Sequence, residues 1–131
     1  MMRVDKTGMA LNVLIVDDSA AIRKILHRML VQTKVPLGTV LEANDGQEAM
    51  ERMTGAGVGL ILSEINMPKM DGLDFLRALK ANPAYKDVPV VMVTSEGGQE
   101  KVLLALQLGA SGYVKKPFTS IQIREKLAEV V

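Results

Sequence analysis

Residues 60–72 read LILSEINMPKMDG, and this stretch decides how the rest of the chain is arranged. An apolar run of strand length ends at Glu64, and Pro68 and Gly72 then turn the chain out of the sheet. Glu64 is therefore expected at the carboxyl end of a strand. Ligands of open α/β sheets bind at that edge, so Glu64 is a candidate functional residue. Taken alone, it is also consistent with a solvated acid that simply ends a strand.

Segments with strand character alternate with segments of helical periodicity along the whole chain. The other predicted strands are Leu11–Val16, Thr39–Ala43, Val90–Val93 and Tyr113–Lys115. Five helices are predicted. The first is capped by Asp18 or Ser19, and its apolar face comprises Ile22, Ile25, Leu26, Met29 and Leu30; the next three cover residues 47–53, 73–81 and 99–108. The last is capped by Thr119 or Ser120 and packs Ile121, Ile123, Leu127 and Val130. Short alternating connections favour parallel strands joined by right-handed crossovers. The sequence predicts a doubly wound five-stranded parallel α/β sheet, with residues 1–10 as a tail and 11–131 as a single domain.

Composition limits the classes of partner. Sixteen basic and fifteen acidic residues give a net charge of +1, which provides no long-range field for nucleic acid or an anionic membrane. The chain has no cysteine, so disulfides and thiolate metal sites are excluded. No segment has the apolar length of a signal peptide core or a membrane span. We expect a cytoplasmic protein that binds neither nucleic acid nor membrane.

Polar residues follow the predicted strands at the edge where parallel strands end together. Asp17, Asp18, Glu64, Thr94 and Lys116 are expected to converge there. Three carboxylates facing one ammonium leave about two uncompensated negative charges, so either one carboxyl holds a proton or a hard cation binds. Mg²⁺ fits best, because it accepts a few carboxylate or carbonyl oxygens and keeps exchangeable waters. With Lys116 and the Thr94 hydroxyl, such a cation would suit phosphoryl transfer. Taken singly, Lys116 also fits a surface amine and Thr94 an ordinary strand residue.

Several motifs together resemble the receiver domains of response regulators, particularly the single-domain CheY-like chemotaxis regulators, from Leu11 to the C-terminus. These motifs are Asp17-Asp18, Asn66-Met67-Pro68, Met70-Asp71-Gly72, Met92-Val93-Thr94-Ser95-Glu96, Gly109-Ala110-Ser111-Gly112-Tyr113 and Lys116-Pro117-Phe118. The resemblance implies a flavodoxin-like, CheY-like fold and a regulator that acts without substrate turnover. It also implies a histidine kinase and a downstream protein, such as the flagellar motor or another output protein, as partners of a monomer.

The same resemblance assigns roles to individual residues. Asp17 and Asp18 would hold Mg²⁺ with the backbone carbonyl of Asn66, and Glu64 would be a further carboxylate beside the metal. Thr94 would sense the phosphoryl group and Lys116 would neutralise it. Tyr113 would be the switching aromatic residue. The Lys116–Pro117 peptide bond is expected to be cis, as it typically is in this family.

Glu64 departs from the family pattern, because receivers accept phosphate on an Asp at this position. The added methylene displaces the carboxylate by roughly a bond length, and a misplacement near 1 Å costs about a hundredfold in rate. Two hypotheses remain: Glu64, natural or introduced, imitates the phosphorylated Asp in part, or it disables the switch. It either shares Mg²⁺ with Asp18 or pairs directly with Lys116.

The helix over 99–108 is expected to contribute the partner surface. Its apolar residues, which include Val102, Leu103 and Leu104, spread around the whole helical wheel, so some of them must face water. Leu103 and Leu104 are the predicted exposed pair, and the resemblance adds Tyr113 and the last helix to this surface.

Two other classes share the fold. A flavodoxin-type binding module needs a hydroxyl-rich phosphate loop after the first strand, where this chain has Asp17 and Asp18. A hydrolase with a strand-end Asp nucleophile usually shows an Asp-x-Asp spacing and a second general acid, neither of which is evident. A phosphorylation-independent pseudo-receiver that binds protein is the alternative within the family.

Overall fold

The computed structural model describes residues 10–95 and 99–130. Within these ranges strands and helices alternate: β1 Leu11–Val16, α1 Ala20–Gln32, β2 Leu37–Ala43, α2 Gly46–Met53, β3 Leu60–Ser63, α3 Gly72–Lys80, β4 Val90–Thr94, α4 Gln99–Gln107, β5 Gly112–Lys115 and α5 Ser120–Val130. The predicted tail, except for its last residue, lies outside the described residues. Glu96 of the motif after β4 lies outside them as well.

The strands form one parallel sheet in the order β2-β1-β3-β4-β5. The chain runs from β1 to β2 on one side and then crosses to β3 on the other side of β1. Helices therefore cover both faces of the sheet, and the predicted doubly wound, flavodoxin-like fold is confirmed. The β1 and β3 carboxyl ends are neighbours at the point where the strand order reverses, which is where ligands of such sheets bind.

The central strands are apolar on both faces because each face packs against helices. In β1, Val13 and Ile15 pack in the cluster that includes Leu26 and Leu30 of α1, whereas Leu14 packs on the opposite face. That face is covered by α2, α3 and α4 through Ala49, Met53, Leu73, Phe75, Leu76, Leu79 and Ala105. Continuous burial removes the polar alternation of a half-exposed strand. Because the sheet is packed on both faces, the positions of the residues at its strand ends are fixed.

Two predictions about helix faces are wrong. Ile25 of α1 and Ile121 of α5 were expected to pack inward, but they are 40% and 54% exposed. The buried stripe of α1 is centred on Leu26 and Leu30, because one sheet face covers only part of a helix circumference. Strand β2 begins at Leu37, two residues earlier than predicted, since its start pairs with Leu11 across an irregular register.

The helix starts follow local capping chemistry. The side chain of Ser19 accepts from the Ile22 N–H and caps α1, as predicted. Asp45 and Asp71 cap α2 and α3 in the same way. None of the helices within 10–95 and 99–130 has the length and hydropathy needed to cross a bilayer.

Candidate functional site

Backbone hydrogen bonds continue the sheet one residue beyond its strands and so place the candidate site. The Asp17 N–H donates to the Ala43 carbonyl at 3.1 Å, and the Glu64 N–H donates to the Val16 carbonyl at 2.9 Å. The Lys116 N–H donates to the Thr94 carbonyl at 2.8 Å. Each of these residues therefore leaves its strand in a fixed direction at the same edge. The predicted Lys116–Pro117 cis bond is present.

Lys116 joins two carboxylates that are distant in sequence. Its Nζ lies 2.7 Å from Asp17 Oδ2 and 2.9 Å from Glu64 Oε1. The side chains of Asp17 and Glu64 are 1% and 4% exposed, whereas that of Lys116 is 17% exposed. The predicted convergence of these three residues is observed. Of the two arrangements considered for Glu64, the structure has the direct pair with Lys116.

The Glu64 carboxylate receives further hydrogen bonds. Its Oε2 accepts from the Ile65 N–H at 2.6 Å and from the Asn66 N–H at 3.4 Å, and the buried Thr94 hydroxyl donates to the same carboxylate. Burial alone raises the pKa of Glu64, but the bonds from Thr94, Lys116 and Ile65, with the Lys116 charge, lower that pKa below its ordinary value. Glu64 is therefore an anion near neutral pH. No buried side-chain nitrogen or oxygen in the described part of the chain lacks a hydrogen-bond partner.

Lys116 is held in its charged form. Burial lowers the pKa of its ammonium, and the hydrogen bonds and charges of Asp17 and Glu64 raise it, so that the resulting pKa lies above its ordinary value. Two anions and one cation thus form a compact unit with a residual negative charge. That charge lies beside Asp18, the exposed member of the acidic pair.

The predicted Mg²⁺ ligands have other partners in this structure. Lys116 lies between Asp17 and Glu64 and takes an oxygen of each. Within residues 10–95 and 99–130, no group of three or more Asp, Glu, His or Cys side chains is arranged to hold a metal ion. The set of Asp17, Asp18 and Glu64 with the Asn66 carbonyl stays a prediction.

The β3–α3 connection places Glu64 through a close contact between backbones. The Gly72 N–H donates to the Ile65 carbonyl at 2.7 Å. A methyl group on Gly72 would overlap the Glu64 carbonyl oxygen and lie 2.8 Å from Ile65 Cα. Glycine at the start of α3 is therefore required for this helix to approach the strand end. This packing explains the glycine of the motif over residues 70–72, and Asp71 caps the same helix.

Sequence reasoning missed Arg23, which was given no role at the predicted site. Its side chain is 13% exposed, and its Nη1 donates to the Asp17 carbonyl at 2.7 Å. Helical spacing marks which residues share a face, but it does not show that one of them reaches the sheet edge. An Arg one turn after the capping Ser19, which itself follows the acidic pair, was the available signal.

Helix α4 exposes a different pair of leucines from the one predicted. Leu103 is 55% exposed as expected, but Leu104 packs against the core and Val102 is buried. Leu106, at 39% exposure, is the second outward leucine. Residues 103 and 106 are three apart and so share a face of the helix, whereas 103 and 104 are about 100° apart.

Tyr113 lies at the surface beside α5. It is 43% exposed and, with Gln122, Glu125 and Lys126, lines a cavity of about 370 Å³ between β5 and α5. Helix α4 also approaches the candidate site, because Lys101 Nζ lies 3.3 Å from Asn66 Oδ1. The switching role of Tyr113 stays a prediction.

A five-stranded parallel sheet with an acidic pair, a third carboxylate, a threonine and a lysine at its carboxyl edge defines the receiver class. The family model for the response regulator receiver domain matches residues 13–128, and the chain belongs to this family. It is a CheY-like receiver domain of a two-component response regulator. Such domains are regulators and are generally not catalytic.

The relatives agree with this assignment over nearly the whole chain. The chemotaxis protein CheY homolog of Campylobacter jejuni subsp. jejuni serotype O:23/36 (strain 81-176) is 38% identical over 122 residues, which is 92% of each protein. Vibrio cholerae chemotaxis protein CheY4 has a TM-score of 0.84 and 33% identity, covering 94% of this chain and 100% of that one. CheY in the CheX-CheY-BeF3-Mg²⁺ complex from Borrelia burgdorferi has a TM-score of 0.83 and 29% identity, covering 95% and 91%.

Proposed function

We propose that this chain is a chemotaxis-type receiver in which Glu64 takes the place of the phospho-acceptor and imitates its phosphorylated form in part. The supporting observation is that the Glu64 carboxylate accepts hydrogen bonds from both Lys116 and Thr94. By family resemblance these two residues neutralise and sense the phosphoryl group. In this chain the longer acid side chain reaches both of them directly.

The imitation is incomplete for a reason of charge and geometry. A carboxylate carries one negative charge and two oxygens, whereas a phosphoryl group carries about 1.5 to 2 charges and three acceptor oxygens. Both Glu64 oxygens already accept hydrogen bonds from within the chain. Activation is therefore expected to exceed that of an unphosphorylated Asp variant and to fall below that of its phosphorylated form.

The proposal includes a bound Mg²⁺ with fewer protein ligands than the sequence predicted. The donors that fit are the Asp17 and Asp18 carboxylates and the Asn66 carbonyl, since Mg²⁺ commonly uses one or two carboxylates and retains several waters. Glu64 is left out because the proposal assigns its carboxylate to Lys116 and Thr94, and a cation bound to Asp17 would compete with Lys116 for Asp17 Oδ2. A bound cation would supply positive charge beside an acceptor at position 64. The Borrelia relative contains Mg²⁺ and BeF3 in its complex with CheX, which supports Mg²⁺ as the cation of this proposal.

The proposed partners are a histidine kinase and a downstream protein, which is the flagellar motor or another output protein. The proposed partner surface comprises Leu103 and Leu106 of α4 together with Tyr113. Leu103 and Leu106 are both exposed and share one face of α4, so they can enter the same contact. The chain is proposed to act as a monomer in the cytoplasm, as expected from the sequence.

The experiment compares the unmodified chain with Glu64→Asp and Glu64→Gln after incubation with acetyl phosphate and Mg²⁺. Intact mass spectrometry should show one phosphoryl group on the Asp variant and none on the other two proteins. The Gln variant is the control for shape without charge. A quantitative phosphoryl adduct on Glu64 would contradict the proposal.

One observation favours the pseudo-receiver alternative. Lys116 already forms ion pairs with Asp17 and Glu64, so its charge is paired without a phosphoryl group. In that case Glu64→Asp would also remain unphosphorylated, and partner affinity would be the same in all three proteins. Binding to a candidate output protein, measured for each variant, separates the two functions. Tighter binding by the unmodified chain than by Glu64→Gln supports the phosphomimetic proposal.

A further inference from the structure

Arg23 lies near the candidate site but outside the set of residues given a role above. Its guanidinium makes three hydrogen bonds: Nη1 donates to the Asp17 carbonyl at 2.7 Å and to Asn44 Oδ1 at 2.9 Å, and Nε donates to Glu42 Oε1 at 2.9 Å. These acceptors belong to the end of β1, the end of β2 and the loop that follows β2. A single side chain of α1 therefore joins three segments at the carboxyl edge of the sheet.

Arg23 donates to the carbonyl oxygen of the peptide bond that joins Asp17 to Asp18. The Asp17 N–H is already held by the Ala43 carbonyl at 3.1 Å, and the Ser19 N–H donates to Asp17 Oδ1 at 2.9 Å. With Arg23 on the carbonyl, the backbone on both sides of Asp17 is fixed. Asp18 itself is exposed, so this backbone sets the point and direction in which its side chain leaves the chain.

The acceptors that hold Arg23 are themselves restrained. Glu42 Oε2 accepts from Lys24 Nζ at 2.7 Å, and the Asn44 N–H donates to Glu48 Oε1 at 3.1 Å. The planar guanidinium fork matches this set of three acceptors, which the single ammonium of a lysine would not reach together. Arg23 is thus a preorganised support.

We propose that Arg23 is a positioning residue that orients the Asp17–Asp18 pair for a divalent cation, acting through the Asp17 carbonyl without contacting the cation. The part that concerns Mg²⁺ rests on the proposed function. Groups that orient metal-ligating carboxylates typically contribute about 10- to 100-fold to metal affinity.

The charge of Arg23 acts in the opposite direction to this positioning effect. A cation beside the acidic pair repels Mg²⁺, so removing the positive charge alone would tighten Mg²⁺ binding. Lys24 provides the matched control, because it pairs with the same Glu42 carboxylate but its side chain is 67% exposed and it has no recorded bond to Asp17. Lys24→Met removes the same charge and leaves the Asp17 carbonyl contact intact.

The test uses the full chain and the variants Arg23→Met, Arg23→Lys and Lys24→Met, with folding checked by circular dichroism. Amide hydrogen exchange of Asp17 and Ser19, followed by NMR without metal, should be about tenfold faster in Arg23→Met. It should stay within about twofold of the unmodified chain in Lys24→Met. Arg23→Lys, which folds with the charge retained, should be intermediate. Exchange that is equally slow in all four proteins overturns the proposal.

Calorimetric titration with MgCl₂ gives the second readout. Arg23→Met should bind Mg²⁺ about tenfold or more weakly, whereas Lys24→Met should bind equally or more tightly. Equal or tighter binding by Arg23→Met overturns the positioning role for the cation. If the unmodified chain binds no Mg²⁺, the metal part of the proposed function fails, and the exchange rates alone decide whether Arg23 orients the pair. Should Arg23→Met fail to fold, the comparison of Arg23→Lys with Lys24→Met decides both readouts.

Discussion

Glu64 shows how a buried acid is stabilised by what surrounds it. Burial of a carboxylate is costly unless its oxygens are bonded and its charge is paired. Here Lys116, Thr94 and the Ile65 N–H supply those partners, and the extra methylene of Glu lets the carboxylate reach them. Glu64 is therefore well accommodated in the fold.

The lowered pKa of Glu64 predicts how stability depends on pH. Since the folded pKa lies below its ordinary value of 4.5, the ionised form favours the folded state. This contribution is fully present above about pH 4.5 and is lost as the pH falls through the folded pKa. Urea unfolding from about pH 7 to about pH 3 should show the unmodified chain losing more stability than Glu64→Gln. A constant difference between the two proteins over that range would contradict the assignment.

Removal of Lys116 should be strongly destabilising. Lys116→Met leaves Asp17 and Glu64 buried close together without their shared cation, and breaking a buried pair costs about 3–5 kcal/mol. The double variant Lys116→Met with Glu64→Gln should recover part of that loss, because one of the two anions is gone. Denaturant unfolding of the single and double variants measures the coupling. Additive effects would show that Lys116 and Glu64 do not interact energetically.

At the scale of single elements, the start of α3 controls the position of β3. Gly72→Ala should destabilise the fold by about 1–3 kcal/mol, because its methyl group would meet backbone atoms of Glu64 and Ile65. Gly59→Ala is the matched control, since its methyl group would meet mainly the end of the Leu11 side chain, which can shift. Thermal unfolding of both variants compares them. Equal losses would argue against a special role for the α3 approach.

Helix α4 is predicted to contact an output protein through its exposed leucines. Leu103→Ser combined with Leu106→Ser should leave the melting temperature nearly unchanged, because both side chains are exposed, and should weaken binding to an output protein. Leu104→Ser, which alters a side chain packed on the core, should lower stability instead. Calorimetric binding and thermal melts of the two proteins separate these effects. Unchanged partner affinity in the double variant would remove α4 from the proposed partner surface.

For the molecule as a whole, Mg²⁺ should stabilise the folded state. A ligand that binds only the folded chain adds about 2.7 kcal/mol at a concentration of 100 times its Kd. A thermal melt series with increasing MgCl₂ should therefore show a rising melting temperature, and Asp18→Asn should reduce the rise. NaCl at matched ionic strength controls for general salt effects. A melting temperature independent of MgCl₂ would contradict the proposed donor set.

The order of strands and helices could be predicted because apolar periodicity and capping or turn residues are local features of the sequence. The apolar run of Leu11–Val16, interrupted only by Asn12 and followed by the capping Ser19, is enough to place β1 and α1. Parallel pairing then follows from short crossovers, and with it the edge where Asp17, Glu64 and Lys116 meet. Helix faces were less certain, as Ile25 and Leu104 show, because a helix with apolar residues all round does not reveal which stripe a neighbour will cover.

The sequence by itself determined the fold class, the edge that carries the candidate site and the residues that gather there. The tertiary structure decided their partners: Lys116 bonds to both Asp17 and Glu64, and Arg23 turns from its helix to the Asp17 carbonyl. The physical reason is distance in the chain. Hydrogen bonds between residues as far apart as Asp17 and Lys116 depend on distances of a few tenths of an ångström, which local propensities do not encode and only the packed sheet and helices set.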